Sequence, residues 1–453
     1  MSDRVSTLLG VAAIALASAA LPWLPGPPVA AYAALFIATS AFFLALVPAL
    51  LRVRLTPREL GALLVLLVAA RTALLPVVPV GSDDVYRYVW DGKVQAAGIS
   101  PYAFTPEAPE LQWLHSETVP RLVNHPDLLT PYFPFAQWLF RLAYAMSGEA
   151  LWGIKILILI AEVLSIVGLV ILLRECGAHG GAPSWARATE GPRAPVERVL
   201  LYAAAPLALF EFAVDAHVDA LGFPFLVFGL LFFLRGRTAV GLVLLGLSMS
   251  IKPTPVVVLP FLLLVARGWL ARTAVVAVPA LVLGLQFVPY LGDRHLFDGL
   301  FRLARDWMFN GSIFSLVFAV LPDNQQARLV CAGLLAVTLA GLWVWTIRQR
   351  EGDGRVPVRA ALGAGVLAVL LLLLFSPVVH PWYVGWLAVL LPIVPLPSGL
   401  ALVGTVSLAS LTVVTYQASG VWIDYPLVRL AVYAPVFVLL LTRWRAEKRA
   451  FAA

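Results

Sequence analysis

Apolar residues fill this chain in blocks, and polar residues gather where the blocks end. Predominantly apolar stretches run from 5 to 24, 29 to 51, 59 to 79, 152 to 173, 199 to 215, 220 to 234, 271 to 291, 326 to 347, 360 to 378, 384 to 397, 399 to 417 and 427 to 442. Blocks near twenty residues match the length an α-helix needs to cross a bilayer, and several of the others fall short of it. One more block, 238 to 267, is interrupted by Lys252-Pro253-Thr254-Pro255. Proline removes a helix hydrogen bond and clashes with the preceding turn, so two shorter helices meeting at a break are predicted there. The pattern predicts an all-α polytopic membrane protein, a single domain over 1–453, with about fourteen membrane helices. It shows no internal repeat of the kind an inverted-topology transporter carries.

Two stretches depart from the pattern. Residues 80–148 predict a long external loop carrying short interfacial helices. The loop opens with Gly81-Ser82-Asp83-Asp84, so two adjacent carboxylates sit where a helix leaves the lipid. Val85 to Gly92 then reads as a helix in which Asp84, Arg87 and Asp91 share one stripe. Gly98-Ile99-Ser100-Pro101-Tyr102 is a turn, and His125 to Gln137 is a proline-punctuated return to an amphipathic helix. The second stretch, 292–323, predicts an external loop with an amphipathic helix. Leu296, Leu300, Leu303 and Trp307 form its apolar stripe, while Asp298, Arg302 and Arg305 lie elsewhere on the wheel, the pattern of a helix resting in the headgroup plane.

Composition excludes a water-soluble domain: 61% of residues are hydrophobic and 13% charged, with a mean hydropathy of +0.90. The formal charge of +7 does not imply nucleic acid, because the basic residues cluster in short loops, around Arg54, Arg187, Arg193, Arg235, Arg272, Arg355 and Arg445. Simple alternation of spans puts all of these loops on one side, which the positive-inside rule makes the cytoplasm. Both termini are then cytoplasmic in a multi-pass protein of the inner (plasma) membrane, with its first helix retained rather than cleaved as a signal. The Asp83-Asp84 loop, Glu211 to Asp219, Lys252, 292–323 and Ser376 to Tyr383 fall together on the external face. Cys176 and Cys331 are too few and too scattered for a disulfide framework or a metal site.

The candidate chemistry lies in those external patches. Ser82 or Asp83 can cap the helix that follows, and either carboxylate can serve as a base. Glu211, Asp215, His217 and Asp219 are ionisable groups at a span end, costly there unless they face water or partners. The spacing places Asp215 and Asp219 one turn apart with His217 pointing away from both. Asp-x-His-x-Asp lacks the spacing of a strong zinc motif, so a divalent metal is possible there but not indicated, and no other cofactor is expected. Lys252, an ammonium at a broken helix in apolar surroundings, calls for an anion or snorkels to headgroups. Arg294, with Arg302 and Arg305, offers a weaker phosphate site, and Ser376 to Tyr383 brings His380, Trp382 and Tyr383 to an interface.

Asp83-Asp84-Val85-Tyr86-Arg87-Tyr88 with Trp90-Asp91-Gly92, then Pro101-Tyr102 and Tyr132-Phe133-Pro134, resembles the first external loop of GT-C glycosyltransferases, in particular the polyprenyl-phosphate-mannose-dependent mannosyltransferases. Related sequences often carry a second proline where Phe133 stands. His217-x-Asp219, Lys252-Pro253 and His380-Pro381-Trp382-Tyr383 resemble later landmarks of that group and extend the likeness over most of the chain.

The resemblance implies the GT-C fold, a carboxylate base at Asp84 or Asp83, and substrate contacts at Arg87, Asp91, His217, Asp219, Lys252, Arg294, His380 and Tyr383, with Trp382 stacking on a pyranose face. Asp84 is preferred as base because it shares a face with Arg87 and Asp91. The implied reaction is an inverting transfer of a sugar, mannose foremost, from a polyprenyl monophosphate donor to a hydroxyl of an extracytoplasmic glycolipid or glycan acceptor. A transporter or flippase for a lipid-linked sugar is the alternative. A nucleotide donor is not expected, since no Gly-rich phosphate loop is present.

Overall fold

The computed structural model describes residues 2–24, 28–177, 195–352 and 354–452. Arg187 and Arg193 lie outside the described residues, as do the side chains of Cys176 and Arg445. Among the described residues the fold is helical, and β structure is limited to two isolated bridges, Ser116 with Pro120 and Phe309 with Val378. Among the described residues six helices are long and apolar enough to cross a membrane: Pro28–Arg52, Trp152–Glu175, Gly268–Tyr290, Asn324–Ile347, Val358–Phe375 and Pro397–Ser419. A seventh is added if Ala208–Val214 and Val218–Leu234, bent by 97° at their junction, form one span. The sequence expectation of about fourteen also counted shorter apolar blocks. One of these, 384 to 397, contains only the four-residue helix Gly385–Ala388 followed by turns, and it is almost wholly buried.

Proline at the first helical turn, where its missing N–H is not needed, starts many of the elements, including Pro57, Pro134 and Pro397. The helix Pro57–Ala73 adds a capping box, in which the Thr56 hydroxyl accepts from the Glu59 N–H and the Glu59 carboxylate accepts from the Thr56 N–H. A buried ion pair crosses the bundle. Arg71 Nε donates to Glu162 Oε2 at 3.1 Å, and its Nη1 donates to the carbonyls of Leu67 and Ala203. The Tyr202 hydroxyl donates to the other oxygen of Glu162. These contacts tie the helix Pro57–Ala73 to Trp152–Gly177 and to the chain beyond it.

The long loop forms a cap built on two helices, here α1 (Asp84–Ala96) and α2 (Pro134–Ser147), which pack on each other. Gly92 permits the close approach, since a Cβ there would meet the carbonyl of Phe140. Tyr88 stacks on Phe140 with centroids 4.6 Å apart. The predicted break at Lys252 is present: Thr238–Met249 stops and the chain resumes as Thr254–Val258 and Leu259–Val265. The segment after 292 folds as α3 (Asp298–Asp306). Its Leu300 and Leu303, with Trp307 beyond it, line a cavity rather than only resting against headgroups, and a Cβ on Gly299 would meet the Leu129 carbonyl of the cap.

Candidate active site

A cavity of about 830 Å³ opens between the cap and the bundle. It collects residues from every polar patch singled out in the sequence: Asp83 just before α1, Asp84 and Arg87 from α1, Asn124 and His125 from the loop, Asp219, Lys252, the α3 stripe, and His380 to Tyr383. Its remaining wall is apolar, with Val256, Val257, Leu372, Leu373 and Val413 among its residues.

Asp84 is the first residue of α1, and its N–H donates to Ser82 Oγ at 3.2 Å. Ser82 therefore takes the capping role that the sequence also offered to Asp83, whose side chain makes no cap hydrogen bond. The two carboxylates share one donor, because Asn124 Nδ2 lies 2.7 Å from Asp83 Oδ1 and 2.8 Å from Asp84 Oδ1. Asp84 Oδ2 accepts no hydrogen bond among the described residues. Burial raises the Asp84 pKa to about 6, the Asn124 hydrogen bond opposing that rise and the neighbouring Asp83 charge adding to it. A recessed carboxylate that titrates near neutrality and keeps one oxygen free can remove a proton.

Across the cavity, Lys252 Nζ donates to Asp219 Oδ1 at 2.9 Å and sits 3.1 Å from the centroid of the Tyr383 ring. Asp219 is fixed in turn by Trp386 Nε1 at 2.6 Å. Burial lowers the Lys252 pKa, and the Asp219 carboxylate opposes that shift. The His380 pKa falls to about 3 through burial and the nearby ammonium, so this imidazole is neutral at physiological pH. An ammonium carries three donors. With one directed at Asp219 and one face on Tyr383, Lys252 retains capacity for an anion in the cavity.

Several sequence assignments need correction. Asp91 does not line the cavity: 2% exposed, it accepts from Arg87 Nε at 2.9 Å, Thr130 Oγ1 at 2.6 Å and Gln137 Nε2 at 2.8 Å. Arg87 lines the cavity, but its Nη2 donates to the Leu128 carbonyl, so the pair chiefly staples the loop to α1. His217 is fully buried, stacked on Trp382 at 3.6 Å, and is not among the residues lining the cavity. Trp382 also stacks on His380 at 4.2 Å, so its ring partners belong to the protein. Arg294 is exposed and outside the cavity lining, while Arg302 and Arg305 pair with Asp127 and Asp306. Asp215 and Asp219 do not share a helix face. Ala216 takes a φ of +60° between Asp215 and His217, and the chain turns there, sending Asp215 toward Tyr32 and Gly81 and Asp219 toward Lys252.

Asn124 and Trp386 were not identified from sequence. Asn124 immediately precedes His125, whose φ of +47° marks a constrained turn. Nothing in the spacing joins it to carboxylates forty residues upstream.

A family model described as "Alpha-(1->6)-mannopyranosyltransferase, N-terminal domain" matches residues 4–268, more than half of the chain. The chain belongs to this family. The match covers Asp83, Asp84, Asn124, Asp219 and Lys252 of this alpha-(1->6)-mannopyranosyltransferase family member and stops before α3. Alpha-(1->6)-mannopyranosyltransferase A of Mycobacterium tuberculosis is 26% identical over 360 residues, covering 71% of this chain and 63% of the relative. A probable alpha-(1->6)-mannopyranosyltransferase of Mycolicibacterium smegmatis is 23% identical over 364 residues, covering 69% and 61%. The family member thus spans somewhat less than two thirds of the length of these curated relatives. Among solved structures, ArnT from Cupriavidus metallidurans bound to undecaprenyl phosphate aligns over 86% of this chain and 77% of its own, at 16% identity and a TM-score of 0.43.

Proposed function

We propose that this chain is an integral membrane mannosyltransferase of GT-C fold that moves mannose from a polyprenyl monophosphate mannose to a hydroxyl of an extracytoplasmic glycolipid or glycan. The observation that carries the reading is a single cavity in which Asp84, a carboxylate titrating near neutrality, faces the Lys252 ammonium, beside an apolar wall. Family membership supports it. The acceptor hydroxyl oxygen forms a bond to the anomeric carbon while the bond from that carbon to the phosphate oxygen breaks, its electron pair leaving with the phosphate. Asp84 Oδ2 takes the acceptor proton, and Asn124 holds Oδ1 so that the free oxygen is oriented. Lys252 neutralises the departing phosphate. One displacement inverts the anomeric centre, so a β-linked donor gives an α linkage, and no second, nucleophilic carboxylate is needed.

The test is purified protein incubated with radiolabelled polyprenyl phosphate mannose and a membrane extract. Labelled acceptor is expected. Movement of label across proteoliposomes without transfer would overturn the reading in favour of a transporter.

A further inference from the structure

Behind Trp382, at the bend between Ala208–Val214 and Val218–Leu234, Glu211, Asp215 and His217 converge. One ligand atom from each lies within 4.8 Å of the others. All three are buried, 3%, 1% and 0% exposed. Asp215 Oδ1 accepts from the N–H groups of Val80 and Gly81, and its Oδ2 accepts from the Tyr32 hydroxyl at 2.6 Å. Tyr32 also reaches Glu211 Oε1, at 3.4 Å. All of these donors are neutral. The buried ammonium of Lys155 is turned to the carbonyls of Leu74 and Val77 instead. Two carboxylates in a low-dielectric setting, without a cation in contact, call for a positive partner.

His217 is the independent sign of what that partner is. Neither of its ring nitrogens has a hydrogen-bond partner among the described residues, although the side chain is wholly buried. Its plane is set by the stack on Trp382, tilted by 13°, and Nε2 is aimed at Glu211 Oε2 at 3.5 Å. That gap is too long for a good hydrogen bond. It is the separation of two ligands on one tetrahedral ion, because bonds of about 2.1 Å place ligand atoms about 3.4 Å apart. On the other side of the ring, Nδ1 lies 3.7 Å from Asp84 Oδ2, beyond hydrogen-bond distance, so that carboxylate does not satisfy the imidazole either.

We propose that Glu211, Asp215 and His217 form a binding site for a divalent transition-metal cation of the zinc and cobalt class. The donor set of one imidazole and two carboxylates suits that class, and Glu211, which also lines the cavity, gives the ion a route in. The sequence pointed to Asp-x-His-x-Asp and therefore to a poor site. The fold replaces Asp219, which is taken by Lys252, with Glu211. The site does not depend on the transferase reading, since its test is binding.

Full-length protein in detergent, stripped with chelator, is titrated with Co²⁺ and followed by visible d–d absorption, then challenged with Zn²⁺. One equivalent of bound cobalt, displaced by zinc, is expected. Glu211→Gln and His217→Ala should each weaken binding about tenfold or more, whereas His295→Ala, at an exposed imidazole paired with Asp298, should leave it unchanged. The absence of a d–d band, unaltered affinity in both variants, or loss of binding in His295→Ala would overturn the site and leave a shared proton as the partner of the two carboxylates. Should the variants fail to fold, X-ray absorption at the cobalt edge of the unmodified protein decides: one nitrogen with oxygen ligands supports the site, and a shell of oxygens alone overturns it.

Discussion

At the residue scale, chemistry and position separate two neighbours that look equivalent in sequence. Asp83 is exposed and Asp84 recessed, yet both lean on the same Asn124 amide. If Asp84 is the base, Asp84→Asn keeps the size and much of the hydrogen bonding, and turnover should fall about a hundredfold or more, with a smaller loss in Asp83→Asn. Near-normal transfer by the double variant would remove Asp84 from the mechanism. The base works only when ionised, and its pKa is raised to about 6. The ratio kcat/KM should therefore be flat above that pH and fall about tenfold per pH unit below it. A profile flat down to the ordinary aspartate range would count against a buried base. If Lys252 holds the donor phosphate, Lys252→Met removes a charge-assisted contact and should raise the donor KM about tenfold or more. An unchanged donor KM would mean that this lysine serves only Asp219 and Tyr383.

At the element scale, the cap and α3 close the cavity by a backbone-to-backbone approach at Gly299, which the Leu129 carbonyl leaves no room to substitute. Gly299→Leu should push α3 off the loop and raise substrate KM more than it lowers kcat, as Michaelis kinetics in detergent would reveal. Equal loss in both would show that the contact orders the catalytic groups as well. Deeper in the bundle, Arg71→Met would leave Glu162 with Tyr202 as its partner in an apolar interior, and should cost about 3–5 kcal/mol. Arg71→Met with Glu162→Gln should recover most of that in thermal unfolding, because the expense lies in an uncompensated charge rather than in the lost bond. The bend at Ala216 belongs to the same scale. By turning the chain between Asp215 and Asp219, it deals one carboxylate to the bundle side and the other to the cavity.

For the whole molecule, the positive-inside reading of the arginine-rich loops predicts a cavity on the extracytoplasmic side, and this is open to direct test. Cysteines introduced at Glu107, in the cap, and at Gly354, in a basic loop, are both at exposed positions. Position 107 should label with an impermeant reagent in intact cells and position 354 only after lysis. Labelling of position 354 from outside would invert the topology and the donor assignment together. The sequence by itself determined the helical membrane class, the cap, the break at Lys252 and the grouping of Asp83, Asp84, Asp219, Lys252, His380 and Tyr383. Hydropathy, proline and charge asymmetry act through local backbone energetics and the bilayer, and these are legible along a line. What each polar group touches was decided only by the tertiary structure. Asn124 reaches carboxylates forty residues away, Asp91 turns into a buried staple, His217 stacks on Trp382, and Glu211 comes to lie beside it although the spacing had set His217 apart from the neighbouring carboxylates. A buried polar side chain must be satisfied by whichever partner packing brings within about 3 Å, and packing between distant segments is not encoded in the spacing of neighbours.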